Sequence, residues 1–282
     1  MIFSLILATY GRSAEIENLF HSLTLQTLDI DTFEIIVVDQ NDKIDLSKII
    51  NSYSERLTIS HIKSSRKGLS LNRNIGLKLA KGSYICFPDD DCTYYPDTLE
   101  KALFHLKEKN VTAVFGAILD RDTGEDIIRN WPTKNKKITR HNFFNLYSSI
   151  TIFTKKNEVQ FNEALGVGCY FGSYEDSEYA YNLVREAGEC FYFKDIQVWH
   201  PKIGIQHFSK EKNISYGLGF GAFCSIHKFD IFIMRLFFMA LAYHLSFAVF
   251  SVFKGDFLSA NKRINSFTSR IKGFFEHTFT RN

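Results

Sequence analysis

The chain has 282 residues, 45% hydrophobic and 23% charged, with four prolines, sixteen glycines and a formal net charge of +3. This length and apolar content supply a sizeable core and exclude disorder as the main state; the glycine and proline counts exclude collagen-like and low-complexity chains. So small a charge gives no argument for nucleic acid as a partner. It is, however, unevenly placed. Residues 226–282 carry eight Lys/Arg against three Asp/Glu, so that segment is +5 and the remainder −2, and the same segment holds twelve of the 28 phenylalanines. A basic, Phe-rich tail on a slightly acidic body suits an apolar, anionic surface such as a membrane face.

The opening stretch MIFSLILATYGR lacks a basic leader and reads as a buried strand, not a signal peptide. Phe3–Ala8 is a continuous apolar run of the kind found in a doubly covered parallel strand, and a helix follows through Ile16, Leu19, Phe20 and Leu23. Strands are predicted at Ile35–Val38, ended by Asp39, and at Leu57–Ile62. A helix through Leu71, Ile75 and Leu79 stops at Lys81-Gly82. Tyr84–Phe87 is the next strand, ended by Pro88 and three aspartates, with a helix at 97–107 and a strand at 111–119 after it. Strands alternating with helices in this way predict βαβ units and a mostly parallel, Rossmann-like sheet whose ligands sit at the carboxyl ends of the strands.

Residues 120–160 are polar and poorly periodic and read as a loop region with a short helix at 140–148. A glycine-rich stretch, a helix over 174–187 and strand-like segments follow, and the character changes to Gly- and Phe-rich from Ile203 onward. No solenoid-period repeat is visible. Five cysteines, odd in number and without CxxC, argue against a disulfide framework and for a reducing compartment.

Asp89-Asp90-Asp91 is the sharpest chemical feature. Three adjacent carboxylates beyond an apolar strand repel one another if buried, and a hard divalent cation with phosphate oxygens as further ligands resolves the conflict. The plainer alternative is a solvated acidic turn capping the next helix. Gly68, flanked by Arg66, Lys67 and Arg73, precedes a helix N-terminus and suits an anion, although Ser70 as an ordinary cap explains the pattern equally. Asp176 heads the inward face of its helix and points to a cleft, or else forms a capping box with Ser173. His200 follows a strand-like stretch and is a candidate to complete a carboxylate-rich metal site, with His207 as the weaker competitor.

In this order, the pieces resemble glycosyltransferase family 2, the inverting sugar-nucleotide transferases of the GT-A fold. The resemblance runs over about residues 2–205. It rests on Thr9-Tyr10-Gly11-Arg12, the Val37-Val38-Asp39 strand end, Gly68-Leu69-Ser70 with Arg73-Asn74, and the aspartate triplet. Leu165-Gly166-Val167-Gly168, Glu175-Asp176 and His200-Pro201 complete it. The nearest likeness is to bacterial O-antigen and exopolysaccharide enzymes. The resemblance implies a GT-A domain over 1–205, and the composition of the remainder, 206–282, reads as a Phe-rich, basic, membrane-associating helical tail. The resemblance further implies that Thr9 and Asp39 hold the nucleotide, that Arg73 approaches the diphosphate, and that Asp89 and Asp90 meet the ribose and donor sugar. Asp91 and His200 would bind Mg²⁺ or Mn²⁺, and Asp176 would be the general base. Asn162, where many relatives carry Asp, is a departure without catalytic weight.

The expected reaction is transfer from a UDP-sugar to a saccharide acceptor carried on undecaprenyl diphosphate, at the cytoplasmic face of the bacterial inner membrane. A metal-dependent nucleotide-sugar phosphohydrolase or nucleotidyltransferase using the same aspartates is the alternative. A dinucleotide oxidoreductase would need GxGxxG after the first strand, and Tyr10-Gly11-Arg12-Ser13 does not supply it. Phe229–Phe253 is long enough as a helix to cross a bilayer, but Arg235 and His244 interrupt it. A helix lying in the interface is favoured over spanning or packing within the protein.

Overall fold

The computed structural model describes residues 1–202 and 209–279. The chain divides into two compact units, one formed by Met1–Phe161 with Tyr179–Ile203, the other by Asn162–Glu178 with Gly204–Asn282. The boundary expected at 205/206 lies outside the described residues, as does His207.

The first unit is built on one sheet. Strands β1 (Phe3–Thr9) and β2 (Phe33–Asp39) are buried along their whole length, as their apolar runs require, and β3 (Thr58–Lys63) forms a half-exposed edge. Strand β4 (Tyr84–Cys86) pairs parallel to β1, and the four make the parallel half predicted from the sequence. The other half is mixed. Short β5 (Thr93–Tyr94), β6 (Ala113–Ile118), β7 (Lys136–Ile138), β8 (Ile152–Lys155) and long β9 (Cys190–Trp199) join it, in the order β3-β2-β1-β4-β8-β6-β9-β5 with β7 against β9.

Strand β8 corrects the sequence reading. It lies inside the stretch expected to be loop and pairs antiparallel with both β4 and β6. Its four residues are too few to show a period, and only the non-local ladder defines them. The helix expected at 140–148 is reduced to a single 3₁₀ turn at Phe143–Asn145.

Helices α1 (Ala14–Thr24), α2 (Ser47–Tyr53), α3 (Leu69–Leu79) and α4 (Thr98–Lys109) accompany the sheet. In α1 the predicted face is the buried one: Ile16, Leu19, Phe20 and Leu23 are fully covered. In α3 it is not. The buried residues are Ser70, Asn72, Arg73, Asn74 and Gly76, whereas Leu79 is exposed. Gly76 explains how a polar face is pressed on the sheet, since a Cβ there would fall 2.4 Å from Ile6 Cγ2.

The division between the units falls within α5 (Glu175–Asn182), which continues as one π-helical turn over Leu183–Ala187. The second unit contains α6 (Lys210–Ile226), α7 (Ile231–Phe253) and α8 (Phe257–Phe279). Helices α6 and α8 are in near backbone contact: a Cβ on Gly221 would lie 2.1 Å from Arg270 O, and one on Gly273 would lie 2.1 Å from Leu218 O. Helix α7 is capped by Asp230, whose Oδ1 accepts from Phe232 N at 2.8 Å, and it buries only a stripe through Ile233, Phe237, His244 and Ala248. Its mean hydropathy over the most apolar window is 1.9, and by length and composition it qualifies to cross a membrane.

The glycine contact makes a prediction. Gly221→Ala would gain about 1 kcal/mol of helix propensity but must displace Arg270 O, so a net loss of about 1–3 kcal/mol is expected. A urea titration of the full chain reads this as a lower midpoint, and an unchanged or raised midpoint would contradict the close packing.

Candidate active site

The parallel strands bring their ends together in register: Thr9 pairs with Asp39, and Asp39 with Lys63. Asp39 is fully buried and every lone pair is engaged. Its Oδ2 accepts from Lys63 Nζ at 2.7 Å and contacts His61 Nε2 at 2.9 Å. Its Oδ1 accepts from Asn41 N and Nδ2, each at 2.8 Å. Burial alone would raise the Asp39 pKa, but the bonds from Lys63, Asn41 and His61 override it and hold it below the ordinary value. Asn41 Oδ1 in turn accepts from Gly11 N at 2.6 Å, which ties the ends of β1 and β2 together.

The aspartate triplet follows β4 and leads into β5, with no helix immediately after it; α4 begins only at Thr98. The capping alternative therefore falls. Cations and hydroxyls from distant segments meet the three carboxylates. Arg73 Nη2 lies 2.7 Å from Asp89 Oδ1. Arg12 lies 3.2 Å from Asp90 Oδ1 through Nε and 2.5 Å from Asp91 Oδ2 through Nη1, and Thr9 Oγ1 donates to Asp90 Oδ2 at 2.7 Å. His200 Nε2 is 3.3 Å from Asp91 Oδ1.

The β5–β9 ladder explains how residues more than a hundred positions apart meet. Thr93 pairs with Trp199, which sets His200 opposite the end of the triplet. Ligand atoms of Asp89, Asp91 and His200 all lie within 4.8 Å of one another. His200 Nδ1 donates to Pro201 O at 2.8 Å, so the neutral ring keeps its lone pair on Nε2, facing the carboxylates. Two carboxylates and such an imidazole form a donor set that fits Mg²⁺ or Mn²⁺ with phosphate oxygens as further ligands.

Unlike surroundings divide the triplet. Asp90 is pushed up to about 6 by burial and by Asp89 and Asp91, against the pull of Thr9 and Arg12. In Asp91, burial is outweighed by His200 and Arg12, and its pKa lies below the ordinary value. His200 moves up, because Asp91 outweighs the burial that would lower it.

Of the basic residues in the 65–74 segment, Arg73, on α3, reaches the aspartates. It is 99% buried under the rings of Phe161 and Phe87, and its Nε and Nη1 have no hydrogen-bond partner among the described residues. Lys67 instead pairs with Asp42 at 2.7 Å and lies over Tyr10, and Gly68 N donates to Gln40 Oε1 at 2.9 Å. Sequence reasoning did not single out Arg12, Asn41, His61 or Lys63 as site residues. Only their places near or just beyond the carboxyl ends of β1, β2 and β3 signalled them. Asp176 belongs to the second unit, half-buried at the second position of α5. Ser173, its suggested capping partner, has its hydroxyl 3.4 Å from Ser215 O.

The sequence model of the family described as Glycosyl transferase family 2 matches residues 4–172. An uncharacterized glycosyltransferase of Haemophilus influenzae is 35% identical over 113 residues, 40% of this chain and 37% of that one. The poly(ribitol-phosphate) beta-N-acetylglucosaminyltransferase TarP of Staphylococcus aureus is 24% identical over 56% of this chain and 51% of its own. The chain thus spans about half or less of the length of these curated relatives.

Among solved structures, S. aureus TarS 1-349 in complex with UDP-GlcNAc superposes with a TM-score of 0.63 at 21% identity, over 78% of this chain and 66% of that one. The mannosyltransferase PcManGT from Pyrobaculum calidifontis, in complex with GDP-Man and Mn²⁺, gives 0.63 at 15% identity over 97% and 87%. Both share the GT-A-like α/β architecture.

The Asp39 cluster sets a pH dependence. Because the folded pKa is depressed, its contribution to stability is complete above the unfolded carboxylate value of about 4 and disappears as pH falls through the folded value. Asp39→Asn should therefore lower the melting temperature at pH 7 and approach wild type progressively as pH falls below about 4. A difference that stays constant from pH 7 to pH 3 would show that ionisation of Asp39 is not what stabilises the cluster.

Proposed function

This chain belongs to glycosyl transferase family 2, and from that premise we propose that it transfers a sugar from a UDP-linked donor to a saccharide acceptor with inversion at the anomeric carbon. One observation carries the reading: Asp89, Asp91 and His200 converge at the carboxyl edge of the parallel strands, where α/β sheets bind nucleotides. The UDP-GlcNAc of the TarS complex supports a UDP donor, and the Mn²⁺ of the PcManGT complex supports a divalent ion.

Asp89, Asp91 and His200 would hold Mg²⁺ or Mn²⁺. When bound, the ion supplies positive charge that offsets the charge developing on the departing nucleoside diphosphate. Arg73, through its bond to Asp89, fixes that carboxylate in place, and Arg12 does the same for Asp91. Thr9 holds Asp90 toward the end of β1, where donor sugar and ribose hydroxyls would meet it. Asp39, His61 and Lys63 form a rigid wall beside β3 for the nucleotide. Asp176 is proposed as the general base that accepts the proton of the attacking acceptor hydroxyl, so that a single displacement inverts the centre.

The acceptor we propose is a saccharide on undecaprenyl diphosphate, in the assembly of a cell-surface polysaccharide such as an O-antigen. The poly(ribitol-phosphate) beta-N-acetylglucosaminyltransferase TarP supports a polymer context. Location at the cytoplasmic face of the inner membrane, through the second unit, follows from the same reading. Helix α7 is proposed to lie in the interface and not to cross. Helix α8 packs along α7, and spanning would carry Lys262, Arg263, Arg270 and Lys272 inward at about 2.5–3.5 kcal/mol each at full depth.

A thermal-shift screen of UDP-, dTDP- and GDP-sugars tests the donor, with UDP-sugars expected to raise the melting temperature only with Mn²⁺ present. Asp91→Asn and His200→Ala should each abolish that dependence. Asp176→Asn should retain donor binding and lose about 10²–10⁴-fold in sugar transfer. Cleavage of the donor without transfer to any acceptor would favour a phosphohydrolase, and full transfer by Asp176→Asn would remove it as the base.

A further inference from the structure

Within the second unit, a cavity of about 540 Å³ opens between the C-terminal half of α7, the first turns of α8 and the start of α6. Four cations line it: Lys210, Lys254, Lys262 and Arg263. Among the described residues its one acid is Asp256, whose Oδ1 already accepts from Ser259 N at 3.0 Å at the start of α8. None of the four cations forms an ion pair among the described residues, so the cavity carries a net positive charge that the protein leaves unneutralised. Aromatic rings position two of them. Arg263 lies over Tyr243 at 5.2 Å and Phe247 at 5.4 Å, and Lys254 lies over Phe250 at 4.5 Å.

His244 supplies an independent observation. It lines the same cavity, it is 92% buried, and its Nδ1 has no hydrogen-bond partner among the described residues. A buried polar atom left unpaired carries a desolvation cost that a ligand's hydrogen bond would remove. Burial, together with Arg270 and Arg263, pushes the His244 pKa down to about 4, so the ring is neutral at pH 7 and offers one N–H.

The cavity's rim indicates the kind of anion. On α7, Phe247, Val249, Phe250, Val252 and Phe253 are exposed, and Phe257 and Leu258 continue the apolar surface into α8. A soluble phosphate has no use for an apolar apron around its site. A lipid does, because its chains leave the headgroup along such a surface while cations near the boundary hold the phosphate.

We propose that this cavity binds the headgroup of a membrane lipid ending in a phosphate or diphosphate, with the lipid chains against the exposed face of α7. The proposal rests on the reading that the second unit lies on a membrane.

Flotation of the full chain tests it with vesicles of phosphatidylcholine alone, with added phosphatidic acid, and with phosphatidylserine at matched surface charge. Wild type should prefer phosphatidic acid over phosphatidylserine about tenfold. His244→Phe, which changes no charge at pH 7, should lose that preference and keep its phosphatidylserine binding, and His244→Gln, which retains an N–H, should recover part of it. Lys254→Gln at the cavity lip gives a second reading if the His244 variants fold poorly, and should reduce the preference at least threefold.

Equal binding to the two acidic vesicles would overturn the headgroup site and leave membrane attachment standing. Binding of sodium pyrophosphate in solution without any preference among vesicles would overturn the lipid as occupant. Phe238→Asp/Met239→Asp, on the exposed face and away from the cavity, should abolish binding to every vesicle. Failure of wild type on all three vesicles would sink the membrane reading and the headgroup site together.

Discussion

Three consecutive carboxylates cannot be folded under the end of a sheet unless positive charge and hydrogen-bond donors are delivered to them. The first unit is arranged around that requirement. Taking an ionised carboxylate out of water costs several kcal/mol even after relaxation, and like charges beside it add to the cost. Partners from several segments answer the triplet: Asp89 by Arg73 on α3, Asp90 by Thr9 at the end of β1 and by Arg12 just beyond it, and Asp91 by the same Arg12 and by His200 after β9. No single partner suffices, because the carboxylates point in different directions and sit in different degrees of burial. The result is a graded set, with Asp90 raised and Asp91 lowered, in which only part of the negative charge is neutralised by protein. What remains, shared between Asp89 and Asp91 and facing the imidazole of His200, is a donor set matched to a divalent ion.

The same requirement accounts for two departures from ordinary packing. Helix α3 turns a polar face to the sheet because Arg73 must reach Asp89. Asn74 must also clamp Phe161, donating to its carbonyl and accepting from its N–H, each at 2.9 Å. Apolar residues of that helix are displaced outward. The second departure is β5, only two residues long yet paired with the end of β9. A strand so short contributes little stability of its own. Its ladder fixes the approach of His200, which is a positional task that a loop would perform less reproducibly.

How much of this was legible in the sequence follows from how local each signal is. Strands β1 and β2 announce themselves by the apolar runs Leu5–Ala8 and Ile35–Val38, and their ends by Thr9 and Asp39, so the parallel half and its ligand edge could be read directly. The face of α3 could not. Leu71, Ile75 and Leu79 have helical spacing, and nothing local reveals that a buried arginine overrides it. Nor could β8, whose register depends on β4 and β6, two strands that are themselves far apart in the chain. The triplet and His200 were visible as chemistry, and the resemblance already joined Asp91 to His200; that Asp89 is the third member of the group was not legible. Which two of three adjacent carboxylates face the histidine is set by Thr9 and Arg12, and neither carries a spacing signature toward residues 89–91.

The second unit shows how a chain can keep an apolar surface and a charged one side by side. The glycines of α6 and α8 let those two helices meet at backbone distance, with Gly217 against Ser269, Gly221 against Arg270 O and Gly273 against Leu218 O. That close pair buries little apolar area from α7, whose contact is confined to one stripe, and most of its aromatic side chains remain outside. In sequence, the cations of α8 lie well beyond the apolar run of α7 and read as a separate basic tail. Folding the two helices into a hairpin brings Arg263 over Tyr243 and Phe247 in the C-terminal half of α7, and Lys262 into the same cavity as His244. Charge and apolarity that alternate along the chain over tens of residues thus become adjacent in space. Guanidinium and ammonium groups on aromatic rings keep their charge while losing freedom of movement, which is the condition for recognising an anion at the edge of a hydrophobic surface.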